Sequence, residues 1–474
     1  VNHNHFAGLM ELIVPVGLGY AIDRFNAIPG RGKTVWRRFI SRMSLPASSK
    51  ILLLFFMLIV ILSAVFLTLS RAGIVGMLSA FLLMAALFLV RSRTKRWVRH
   101  LGLTILIGFL FLTWFGLGPI LERMATLKDL SGALEDRVQV WRDSLGIIRD
   151  SPVWGTGLGT FEAVFPAYRT ATDDLAYAHA HNDYIQLAAE TGLLGIVIVL
   201  GGTVIIFIKA IRALRIRRPQ TPWRRGILIG GIGAIGAIAV HSAMDFNLHI
   251  PANALVLTAV IALIWNLSDA PLPSYPTSHV SPFPSHRSRF TSILIAVSVL
   301  SVVYLGYMAA RQFITDRSYQ RGRAHEASGN LEDALAAYRI AADRDGLNAD
   351  YPLALARVHE KISEQTSIPP DERETHLNHA LALLDRAATL GPTLPEPRLH
   401  RGWTHAALGH PEKAEADFAE LIRLDPTNPN VQYYVGLWYA ATGRADAARE
   451  MARKLRSAGR ESKAEEIEQM VSRT

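Results

Sequence analysis

Apolar runs of about 18 residues or more, parted by short polar stretches, fill the first 310 residues. Beyond residue 310 the pattern shortens to paired amphipathic helices. At about 1.5 Å per residue the runs match about 30 Å of hydrocarbon, the shortest with help from tilt or a locally thin bilayer. Spans are predicted near 6–22, 51–69, 72–90, 101–118, 187–208, 227–243, 252–267 and 290–310. The predicted fold class is all-α: a polytopic helical membrane bundle (residues 1–267), a linker (268–289), a last membrane helix (290–310) and an α-solenoid (311–474).

Composition agrees with a membrane protein: half of the 474 residues are hydrophobic and the mean hydropathy is +0.21. A formal charge of +10 would suit nucleic acid, but its distribution argues otherwise. The bases gather in short loops: Arg31, Lys33, Arg37, Arg38 and Arg42; then RSRTKRWVR from Arg91; then Lys209 to Arg225. This is the positive-inside pattern, so those loops are expected in the cytoplasm and no nucleic-acid partner is expected. The opposite, outer face then carries the Ser70–Arg71 turn, a large loop at about 119–186 and the HSAMDFNLHIPAN connection from His241. In a bacterium with an outer membrane that face is periplasmic, and the repeats after the last span lie there too. The Pro/Ser-rich linker is expected to be extended and cytoplasmic. Cysteine is absent, which excludes disulfides. The chain opens on Val1 just ahead of an apolar run, without a cleavable signal peptide, and a lack of N-terminal spans is expected.

After residue 310, RGWTHAALGHPEKAEADFAELIRLDPTNP from Arg401 aligns with VGLWYAATGRADAARE from Val435 at an offset of 34, Gly402 on Gly436, Gly409 on Gly443 and Ala414 on Ala448. An earlier copy holds Gly329 and Ala334, and HLNHALALLDRAATLGP from His376 fits the second helix of another. This period resembles the tetratricopeptide repeat, and about four copies would present a concave surface to a protein partner or merely steady the membrane part.

Candidate chemistry lies on the outer face. Arg71, between two apolar runs, is costly unless interfacial or paired, and is either functional or a snorkelling side chain. Arg137 and Trp141 share a face of a predicted helix that Ser-Pro ends. Gly155, Gly157 and Gly159 would let amides approach a phosphate, although no dinucleotide fingerprint is present. Tyr184, like Trp154, would stack on a sugar or belong to an interfacial belt. His181 precedes Asn182, a predicted helix cap, and an imidazole there can take a proton from a hydroxyl. A metal set of His179, His181 and Asp183, and a structural histidine, are the alternatives. His241 and Asp245, at helical spacing, would pair with each other, hold substrate or fill a polar hole.

Three features together resemble the O-antigen ligase and polymerase superfamily of membrane glycosyltransferases: the SRAG turn at Ser70, the Arg137-x-x-x-Trp141 helix, and His181-Asn182 followed by Gly192-x-x-Gly195. The resemblance runs from about residue 1 to 267, with Ile196 standing where the ligase motif often has threonine. It implies transfer of a glycan from undecaprenyl diphosphate to an acceptor hydroxyl on lipid A core, glycan or protein, at the inner membrane. Arg71 and Arg137 would contact the diphosphate and His181 would activate the acceptor. Trp141, Tyr184, His241 and Asp245 are further candidate sugar or acceptor contacts. Two guanidiniums would absorb the leaving group's charge, so neither metal nor cofactor is expected. The alternatives are a polymerase of O-antigen or exopolysaccharide, a non-catalytic repeat scaffold, and a transporter, the last disfavoured because the charges gather outside the spans.

Overall fold

The computed structural model describes residues 2–91, 102, 130–173, 175, 177–215, 222–269 and 289–473. The predicted span at 101–118 and most of the linker lie outside the described residues. Every regular element among the described residues is helical. The chain divides into two units, residues 1–161 with 177–274, and residues 162–176 with 275–474.

In the first unit, six helices are long and apolar enough to cross a membrane among the described residues: α1 (His3–Ala27), α3 (Ser49–Leu67), α4 (Arg71–Arg91), α6 (Asp183–Arg215), α7 (Pro222–His241) and α8 (Pro251–Asp269). They coincide with six of the predicted spans. Two further helices, α2 (Val35–Met43) and α5 (Leu130–Asp150), are amphipathic. α1 and α7 form the centre because glycines let their backbones touch. A Cβ on Gly19 would lie 2.0 Å from the Gly226 carbonyl oxygen, and one on Gly230 would lie 2.2 Å from that of Pro15. Between apolar helices in lipid, such close van der Waals packing takes over the role that water exclusion has in a soluble core. Leu12, Leu18, Ile22, Leu62, Met77 and Met84 fill the interior, whereas Phe56, Leu82, Ile198 and Leu255 face outward, as a lipid-facing surface requires.

Polar groups sit at the two ends of this bundle. At one end Arg225 pairs with Asp23 at 3.0 Å, near the basic loops. At the other, Glu11 of α1 meets His241 at the end of α7.

The second unit begins with α9 (Arg289–Ala327), whose first half holds the predicted last span and whose Leu300, Val303 and Tyr304 are exposed. It continues through α10 (Leu331–Arg344), α11 (Asp350–Ser363), α12 (Pro370–Leu390), α13 (Pro395–Ala407), α14 (Pro411–Leu424), α15 (Pro429–Ala441), α16 (Ala445–Ser457) and α17 (Glu461–Arg473). The helices pair in order, α13 with α14 and α15 with α16, and α17 closes the stack. Gly409 and Gly443, aligned by the 34-residue offset, turn between paired helices at φ of 77° and 74°. Ala334, Ala414 and Ala448 are fully buried where paired helices cross.

Candidate active site

The candidate site assembles at the Glu11 end of the bundle, around the connection between α7 and α8. Ser70 begins it. Its hydroxyl accepts a bond from the Gly73 N–H at 3.1 Å and caps α4, which leaves Arg71 exposed on the first turn. A cation at a helix N-terminus works against the helix dipole, so Arg71 gains nothing locally from its position, and together with the first-turn amides it favours an anion. One turn further, Gly73 and Gly76 allow α4 to pack on α1, with Glu11 oxygens 3.2 and 2.5 Å from where their Cβ atoms would be.

Arg137 and Trp141 project from α5 as the spacing predicts. Arg137 donates to the Met244 carbonyl at 2.9 Å, and the Trp141 indole donates to the Ala180 carbonyl at 2.9 Å. The residue after Met244 is Asp245, whose carboxylate lies 3.4 Å from His181 Nδ1. One dipeptide thus holds both Arg137 and His181. The Asp245 carboxylate is 2% exposed and the His181 side chain 39%, so the acid backs the imidazole and the imidazole faces outward. Burial pushes the Asp245 carboxyl up. The His181 contact, the Phe246 N–H and the charge interactions with His181 and His241 outweigh it and hold the group below its ordinary value.

His181 has a φ of 51°, a left-handed conformation that strains a non-glycine residue. Its neighbours over-determine it. Asn182 caps α6, accepting from the Tyr184 and Ile185 N–H groups at 3.0 and 3.1 Å while its own amide donates to the Ala243 carbonyl. The Asp183 N–H donates to the Ser242 carbonyl at 2.9 Å. Asp183 accepts from the Leu248 N–H and pairs with His249 at 2.8 Å; this bond, together with the acid's charge, raises His249 above its usual value against the effect of burial. Phe246 stacks on His179 at 4.1 Å and meets His181 edge-on at 5.1 Å.

The glycine-rich segment has a different use from phosphate binding. At Gly192 the helix α6 breaks, with φ 63° and ψ −162°, and the loop before it laces into the gap. The Leu193 N–H donates to the Pro152 carbonyl at 2.9 Å, and the Gly157 N–H to that of Glu190 at 2.8 Å. The Glu190 carboxylate accepts from the Gly159 N–H at 2.9 Å, so an internal anion takes the place of a phosphate. Cβ atoms on Gly155 and Gly192 would each lie 2.4 Å or less from the opposing backbone, which is why both positions are glycine.

The remaining candidates are engaged inside the protein. The Tyr184 hydroxyl donates to the Ala239 carbonyl at 2.7 Å. His241 is fully buried and bonded to Glu11 at 2.9 Å rather than to Asp245. His179, His181 and Asp183 take separate partners, and no cluster of metal-ligating residues occurs among the described residues. Glu11 and Glu190 are not singled out by the sequence pattern as site residues, and Asp183 enters it only in the alternative metal set. An acid inside an apolar run is the one signal that would have drawn attention to Glu11.

Arg71, Arg137, Trp141, His181 and Tyr184 fall in a stretch that matches a known family. Residues 55–200 match the O-antigen ligase family. Residues 396–428, which hold α13 and α14, match the tetratricopeptide repeat. The SRAG turn, the Arg137 helix and the His181 motif all fall inside that match, so the resemblance stands: a region similar to the O-antigen ligase family is joined to C-terminal helical repeats. No curated protein matches the chain. Among solved structures, a thermophilic TPR protein of Thermus thermophilus aligns at 20% identity and a TM-score of 0.31, covering 37% of this chain and 95% of its own.

Proposed function

We propose that the protein is a membrane glycosyltransferase of O-antigen ligase type. It moves a glycan from undecaprenyl diphosphate to an acceptor hydroxyl at the periplasmic face of a bacterial inner membrane, in cell-envelope polysaccharide synthesis. The observation that carries this reading is the Met244–Asp245 dipeptide, which brings together a guanidinium and an acid-backed imidazole, Arg137 and His181, that both fall inside the O-antigen ligase match. A donor with a diphosphate leaving group needs cations over that group and a base at the boundary where the lipid meets water.

In the proposed step His181 takes the acceptor proton while the acceptor oxygen bonds to the anomeric carbon. The bond from that carbon to the diphosphate oxygen breaks, and undecaprenyl diphosphate leaves with the electron pair. Arg71 and Arg137 offset its developing charge, and Asp245 stabilises the imidazolium that forms. A single displacement inverts the anomeric centre. Trp141, Tyr184 and His241 serve as struts that hold the Arg137 helix, the start of α6 and the end of α7.

The test uses purified protein with undecaprenyl-diphosphate glycan and three acceptors: lipid A core, protein and free glycan. Transfer by the wild type that is lost in both His181→Ala and Arg137→Ala supports the reading, and the productive acceptor distinguishes ligase, protein transferase and polymerase. Undiminished transfer in both variants removes the base and the clamp. Failure of folded wild type to transfer to any acceptor favours a non-catalytic repeat scaffold.

A further inference from the structure

Segment 162–176 belongs to the second unit, although the chain on both sides of it belongs to the first. Within the second unit it packs at the C-terminal end of α14. The short turn Phe165–Ala167 lies against α14, with Phe165 1% exposed. Arg169 follows, its side chain 3% exposed, and pairs with Asp425 at 2.8 Å, itself 4% exposed. Asp425 is the C-cap of α14, so the guanidinium also meets the negative end of the helix dipole.

The remaining bonds make this a built site. Arg169 also donates to the Asp173 carboxylate at 3.1 Å and to the Leu175 carbonyl at 2.9 Å. The Thr427 hydroxyl donates to the Arg169 carbonyl at 3.2 Å, and Asn428 donates to the other Asp425 oxygen at 2.7 Å. Burial pushes the Asp425 carboxyl up while Asn428 and Arg169 pull it down, so this acid is tolerable inside only with its partners in place.

We propose that the repeats bind the chain's own segment 162–176 as a built-in partner, and that they therefore lie on the same side of the membrane as His181. The segment's last residue, Ala176, stands five positions before His181, too few to cross a bilayer. Arg169 and Asp425 hold the docked segment on the repeats. This goes beyond the transfer reaction, and neither readout below measures transfer, so the two proposals fail separately.

These 474 residues hold no cysteine, so Asp446→Cys, at a fully exposed position of α16, introduces a unique thiol among them. Reaction with a membrane-impermeant maleimide in intact right-side-out spheroplasts is expected. Leu158→Cys, exposed in the loop before His181, is the reference, and labelling of one thiol in intact spheroplasts with the other labelled only after permeabilisation would overturn the shared side. Arg169 is the single basic residue of the segment, so tryptic cleavage after it reports undocking. In the purified protein, cleavage after Arg169 is expected to be slow, and at least tenfold faster in Asp425→Asn and Thr427→Val, with cleavage after Arg401 of α13 unchanged. Equal rates at Arg169 in wild type and variants would overturn docking, as would Arg401 opening in step with Arg169, since the pair would then serve only the repeats' own fold.

Discussion

Glu11 and His241 come from positions 230 residues apart and share a 2.9 Å bond with neither side chain exposed. Removing one member of a buried ionisable pair leaves the other without compensation and typically costs about 3–5 kcal/mol. Glu11→Ala is therefore expected to lower the thermal midpoint in detergent by far more than an exposed control such as Leu82→Ala, and equal midpoints would refute the pairing. In the repeats, the His359 and His376 Nδ1 atoms lie 2.8 Å apart, and burial, with the charge of His376, His379 and Arg339, lowers His359 to about 4 from 6.5. The unfolded chain then takes up this proton first as pH falls, so stability is lost between about pH 6.5 and 4, by up to about 3 kcal/mol. His359→Gln should flatten that part of a denaturation profile, and an unchanged slope would contradict the assignment. None of these pairings leaves a periodic mark in the sequence. The shared helix face of Arg137 and Trp141 and the Asn182 cap were legible because both follow from local spacing.

At the scale of elements, the break in α6 at Gly192 and the Gly155 loop form one latch. An alanine at Gly192 would meet both a left-handed φ and the Val153 carbonyl 2.4 Å away. Gly192→Ala is expected to cost at least about 2 kcal/mol and to lower transfer through displacement of the neighbouring loop. Gly155→Ala should do the same, and the double variant should cost less than the sum, because either change alone opens the latch. Strict additivity in thermal unfolding would mean that the two glycines act independently. Gly155, Gly157 and Gly159 would let amides approach a phosphate because closely spaced glycine amides suit any anion. That the anion is Glu190, 31 residues from Gly159, follows only from the fold.

For the whole molecule, hydropathy anticipated six membrane helices because in lipid each span must satisfy its own backbone and carries a long apolar signature. The 34-residue offset likewise anticipated the repeats, since each must bury a face on its neighbour. The assignment of 162–176 to the repeat unit had no such signature, because its contacts, such as Arg169 with Asp425, join residues 256 positions apart. If Arg71 and Arg137 supply the positive charge over the diphosphate, transfer should persist in a chelator at the rate seen before divalent cations are removed. Loss on chelation with recovery on adding Mg²⁺ would place that charge on a metal instead.

The most direct measurement is glycan transfer from undecaprenyl diphosphate by His181→Ala beside wild type, with both shown to be folded by equal thermal midpoints. Removal of a general base predicts a fall of about 10²–10⁴-fold in turnover. A variant that transfers at the wild-type rate would contradict the central role given to His181.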